Sequence, residues 1–211
     1  MNKLILARHG NTFGPGDKVV WVGAKEDYPL VEKGEEQAEA LGQALHDAEI
    51  PLSRIICGPL IRTRRAAEIV ASLIGFRGTV EIDERLKEID YGSWGGKSCD
   101  EIIAQYGREA HTIWNDQHQR PDGVDWSPDE ATLKSNALSA MSDAASGEGL
   151  CLIITSNGVL RYMYAALNGP RAEAKVKTGN MCLAEMDGQS GTRLCWNEKP
   201  DASLLSKHLQ D

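Results

Sequence analysis

The chain has 211 residues, 41% of them hydrophobic and 26% charged, with a formal net charge of -8. That length suits a single domain over 1–211 with a sizeable core. No apolar run reaches membrane-spanning length, and the acidic balance argues against a nucleic-acid partner held by bulk electrostatics. Any anionic substrate must therefore be received by a local group of arginines. The cysteines Cys57, Cys99, Cys151, Cys182 and Cys195 show no Cys-x-x-Cys spacing. Neither a zinc site nor a disulfide framework is expected, and with no signal-type segment at the start the cytoplasm is the default compartment.

Leu4-Ile5-Leu6-Ala7 is a short apolar run entering Arg8-His9-Gly10, the pattern of a strand buried on both faces. Ligands of open α/β sheets bind beyond the carboxyl ends of the strands, which puts Arg8 and His9 at the mouth of such a crevice. An arginine fork suits phosphate oxygens, and a neutral imidazole can attack phosphorus. Gly10 is read as giving a ligand close access to backbone N–H groups. The loop over 13–29 is long for a connection and reads as functional. A helix follows over 32–48, with Ala38, Leu41, Ala44 and Leu45 on one face. Arg54-Ile55-Ile56-Cys57 is a second strand, and 60–74 a second helix that starts with Arg62, Arg64 and Arg65. Cations there oppose the helix macrodipole, a misfit expected where function overrides local preference. Arg64 and Arg65 are assigned to the solvated face, and Arg62 to the strand-to-helix turn.

A third strand falls over 79–82, before a glycine-rich loop around Trp94. Glu88 in that loop is either a general acid with a raised pKa or a surface carboxylate paired with Lys87 or Arg85. Helices are expected over 100–106 and 129–145, and 107–125 reads as less regular, with His111 and His118 solvated or packing. Trp21, Trp94, Trp114 and Trp126 are candidates to line the pocket, with core or loop packing the default for each. The strand over 149–155 ends in Ser156-Asn157-Gly158 and opens a helix over 159–167. Late strands over 181–186 and 192–196 suggest a hairpin around Asp187-Gly188. The segment 196–211 reads as a polar, loosely held tail.

Strands alternating with helices predict a mainly parallel sheet whose strand ends converge on one edge. Four segments on those ends carry a resemblance: Ala7 to Thr12, Pro59 to Arg62, Leu86 to Gly96, and Thr155 to Arg161. In this order they resemble the histidine phosphatase superfamily, also called phosphoglycerate mutase-like. The resemblance implies a three-layer α/β/α sandwich, a mainly parallel sheet with an antiparallel edge. It implies that His9 is a nucleophile forming a phosphohistidine and that Glu88 is the general acid and base. Arg8, Arg62, Asn157, Asn11, Thr12 and Gly158 would bind phosphate, with no metal and no cofactor. The partner implied is a small phosphorylated substrate, with no nucleic acid or membrane; the oligomeric state stays open, a dimer included.

One departure matters most: the family's second histidine is replaced here by Asn157, which donates hydrogen bonds but carries no charge. Arg161, one helical turn on, either compensates or, as expected, packs on the sheet. Gly14-Pro15-Gly16 and Asp125-Trp126-Ser127-Pro128 also depart from the family pattern, so substrate contacts there are not carried over. Three functions follow as expectations: a metal-independent phosphatase first, a phosphate-binding pseudoenzyme second, and a mutase third.

Overall fold

The structure, a computed structural model, describes residues 2–169 and 173–210. Its strands β1 (Asn2–Arg8), β2 (Leu52–Cys57), β3 (Glu81–Ile82), β4 (Leu150–Thr155), β5 (Met181–Asp187) and β6 (Ser190–Glu198) form one sheet, in the order β3-β2-β4-β1-β5-β6. Neighbours from β3 to β1 run parallel, while β5 lies antiparallel to both β1 and β6. The helices are α1 (Glu32–Asp47), α2 (Ile61–Leu73), α3 (Cys99–Tyr106), α4 (Arg108–Asn115), α5 (Glu130–Ala145), α6 (Asn157–Ala166) and α7 (Ala202–Leu209).

Alternation along β1 separates the layers. Leu4 and Leu6 join a core with Met141 of α5 and Leu160 of α6, whereas Ile5 and Ala7 join one with Leu41 of α1, Val70 of α2 and Leu205 of α7. The result is the expected α/β/α sandwich with an antiparallel edge. Arg8 pairs with Thr155 and Cys57 with Ile154, so three parallel strands end level. Two hydrogen bonds continue the ladder past those ends, from His9 N–H to Thr155 O at 3.1 Å and from Gly58 N–H to Ile154 O at 3.0 Å. A crevice opens at that edge, as the parallel topology requires.

The fold departs from the sequence reading at several positions. The 107–125 stretch contains α4, whose buried residue is Trp114; two turns are too short for a periodicity to stand out. The supposed loose tail holds α7: Asp201 caps it by accepting from Leu204 N–H at 2.9 Å, and Leu205 is fully buried. Helix α6 starts at Asn157, so Asn157 and Gly158 lie in its first turn rather than before it. The third strand shrinks to two exposed residues at the sheet edge. Gly10 serves packing, because a Cβ there would overlap the carbonyl oxygen of Gly34 in α1. No helix among the described residues is long and apolar enough to cross a membrane.

Candidate active site

The end of β1 delivers Arg8 and His9 into a cavity of about 480 Å³, whose walls include Arg62, Glu88, Asn157 and Arg161. His9 is buried, and its two ring nitrogens have partners of opposite kind. Nδ1 lies 2.8 Å from the Gly10 carbonyl oxygen, and Nε2 lies 3.2 Å from the Arg62 Nε–H. A carbonyl only accepts and a guanidinium only donates, so these partners select the neutral ring protonated on Nδ1, with the Nε2 lone pair accepting from Arg62. Burial, and then the Arg62 and Arg8 charges, push its pKa well below the usual imidazole range.

Arg62 reaches this place because α2 begins directly at the β2 strand end. Its side chain, 1% exposed, turns away from the helix axis and donates to Glu26 O at 3.0 Å and Gly23 O at 3.1 Å. Those carbonyls, together with Asp27 accepting from Ile61 N–H at 2.8 Å, offset the misplaced charge at the helix start. The loop over 13–29 is therefore part of the site's frame. Arg8 donates to Val176 O at 2.7 Å and its Nε has no partner among the described residues; burial pushes its pKa down to about 10. Arg65 pairs with Glu35 on the outer surface, as its position implies.

Glu88 resolves in favour of the buried alternative. Arg85 is taken by Asp83 at 2.7 Å and Asp143 at 2.6 Å, while Glu88 turns inward and is 6% exposed. Burial raises its pKa; N–H donation from Ile89 at 2.9 Å and Gly158 at 3.2 Å, with Arg62 and Arg8 nearby, opposes that rise. The carboxyl is thus held in place and biased toward its protonated form, which suits an acid.

Other site residues fall differently. Asn157 lines the cavity, and its Oδ1 accepts from Val176 N–H at 2.9 Å, so its orientation is fixed. Asn11 and Thr12 also line it, with Asn11 Oδ1 accepting from Thr178 Oγ1–H. Gly158 does not, since its N–H goes to Glu88; its role is to seat the carboxyl. Arg161 lies in the wall over Trp114 and not against the sheet, its guanidinium carbon 4.4 Å from the ring centroid. Lys175, missed in the sequence, lines the cavity too. Of the tryptophans, Trp94 and Trp126 are core, whereas Trp21 and Trp114 are both packed and exposed to the cavity.

A buried histidine, a buried carboxyl and flanking arginines thus stand together at a strand-end crevice. A family model described as the histidine phosphatase superfamily, branch 1, matches residues 4–199. The chain belongs to that superfamily. A probable phosphoglycerate mutase GpmB of Erwinia tasmaniensis is 28% identical over 216 residues, covering 100% of this chain and 96% of that protein. Another from Citrobacter koseri is 35% identical over 194 residues, covering 90% of this chain and 86% of that protein. The fold is shared with mycobacterial glucosyl-3-phosphoglycerate phosphatase at a TM-score of 0.77 and 19% identity, over 94% of this chain and 100% of that one.

Proposed function

We propose that this chain hydrolyses a small phosphomonoester through a phosphohistidine on His9 Nε2, without a metal ion. The observation that most supports this reading is the pair of opposed partners on the His9 ring, which leaves Nε2 as the nucleophilic nitrogen. In the first step the Nε2 lone pair forms the N–P bond as the P–O bond to the leaving alcohol breaks. Glu88 gives its proton to that oxygen. The Arg62 Nε–H leaves Nε2 and turns to a phosphoryl oxygen, joining Arg8 on the charge spread over the equatorial oxygens. The Gly10 carbonyl, accepting from Nδ1–H, stabilises the positive charge that develops on the ring. In the second step the Glu88 carboxylate takes a proton from water, whose oxygen forms a new P–O bond. The N–P bond breaks and its electron pair returns to Nε2.

Asn157 favours a second reading, a phosphate-binding protein with little turnover. An amide in place of an imidazolium removes one charged donor, an effect of about 2.7–4 kcal/mol by analogy with an oxyanion-hole donor. The relatives named as mutases favour a third, in which the phosphoryl group returns to the product. Aryl-phosphate hydrolysis with EDTA present, by wild type, His9→Ala and Asn157→His, separates the first two. Turnover abolished by His9→Ala supports the hydrolase; wild type equal to His9→Ala, with activity gained in Asn157→His, supports the binder. Dependence on a bisphosphoglycerate primer marks the mutase.

A further inference from the structure

The cavity carries more positive charge than one phosphoryl group needs. A phosphomonoester brings about -1.5 to -2 charges at neutral pH, which Arg8 and Arg62 beside His9 match. Arg161 and Lys175 line the same cavity and are left over. Arg161 is buried, gives one N–H to Trp114 O at 2.5 Å, and its Nε has no partner among the described residues. Lys175 is held by a neutral acceptor, Asn115 Oδ1, at 3.2 Å. Among the described residues neither cation forms an ion pair. Glu88 and Asp116 act on Arg161 from beyond ion-pair distance, and Asp116 acts on Lys175 as well, so the buried guanidinium still gains from an anion that contacts it.

The placement of these two cations is specific. Both are oriented by consecutive residues of α4, Trp114 through its ring face and carbonyl, and Asn115 through its side chain. Both line the cavity that His9, Arg8 and Arg62 also line, so they are available to the part of a bound ester outside its phosphoryl group. We propose that Arg161 and Lys175 form a subsite for a second anion: the substrate is a phosphomonoester whose leaving group carries a carboxylate or a further phosphate. This rests on the hydrolase reading above, and it extends that reading to a substrate class.

The test uses matched esters: 3-phosphoglycerate against glycerol 3-phosphate, and propanediol bisphosphate against its monophosphate. The first pair reports a carboxylate and the second a phosphate. Wild type should prefer the member with the extra anion in at least one pair by about tenfold, the effect of one charge-assisted hydrogen bond. Arg161→Gln and Lys175→Gln should each shrink that preference at least threefold, with Arg161→Lys restoring part of it. Lys175 is exposed on a loop, so Lys175→Gln carries the test if Arg161→Gln does not fold. No preference in either pair, or one that neither substitution alters, overturns the subsite. Calorimetric dissociation constants for the same pairs keep the two claims apart: a binding preference without turnover of any ester overturns the hydrolase reading and supports the subsite.

Discussion

Gly158→Ala tests how the acid is seated. The position is helical with no positive φ, so alanine should favour α6 by about 0.5–1 kcal/mol on backbone grounds alone. Its Cβ, however, would overlap Glu88 Oε1 and stand 2.9 Å from both Ile89 Cδ1 and Tyr91 Oη. All three are buried around the acid, so the carboxyl must swing away and lose its 3.2 Å bond to Gly158 N–H. Overpacking of this kind costs about 1–3 kcal/mol, so the net change in stability should be a loss of no more than about 2.5 kcal/mol. The catalytic loss should be much larger: a displaced general acid forfeits about 10²–10⁴ in rate. The assay is kcat/KM for an alkyl phosphate and for an aryl phosphate whose leaving group needs no proton, beside a thermal melt. The alkyl ester should fall toward the level of Glu88→Gln, and the aryl ester much less. A Gly158→Ala enzyme within threefold of wild type on the alkyl ester, while Glu88→Gln is down a hundredfold, would refute the reasoning.

Three further outcomes follow from the same geometry. Asn157→His should raise aryl-phosphate turnover by about 10²–10³ by returning a cation; unchanged or lower turnover contradicts the loss assigned to the missing charged donor. The reactive form has His9 neutral and Glu88 protonated, so kcat/KM is lost as pH falls through the depressed histidine pKa and as it rises through the raised carboxyl pKa. A pH–rate profile should therefore peak on the acid side of neutrality, and Glu88→Gln should abolish the alkaline limb; an optimum above neutrality contradicts the assignment. Leu205→Ala should cost about 2–5 kcal/mol in a urea titration, because the residue is fully buried where α7 meets α1. A loss below about 0.5 kcal/mol would mean that α7 is not docked.

The strand ends were legible because each strand is a continuous apolar run cut by a turn, and parallel topology forces such ends together. Arg8, His9 and Arg62 are placed by those turns for that reason, whereas Glu88, in a loop beyond β3, stays open between a buried acid and a surface carboxylate until the fold buries it. What was not legible depends on tertiary contacts. Lys175 sits on an irregular loop fixed by Arg8 donating to Val176 O and Asn157 accepting from Val176 N–H, neither of which leaves a local signature. Arg161 had a signal, since four residues after Asn157 puts both on one face of a helix, but only the place of α4 decides that this face meets a cavity. The polar stretch at the chain's end concealed α7, although Asp201 three residues before Leu204 is a helix-start pattern. Gly10 reads in the sequence as a glycine for ligand access, whereas the contact that demands it in the fold is the backbone of α1.

The central claim is a phosphoryl group carried on His9, and trapping it tests that claim directly. Wild-type enzyme turning over a labelled phosphomonoester is quenched in alkali, where a phosphoramidate survives, and the adduct is mapped by mass spectrometry. The account predicts label on the peptide containing His9, accumulating within one turnover, lost in His9→Ala and persisting longer in Glu88→Gln. Steady hydrolysis with no label on His9, or label and turnover that survive His9→Ala, would contradict it.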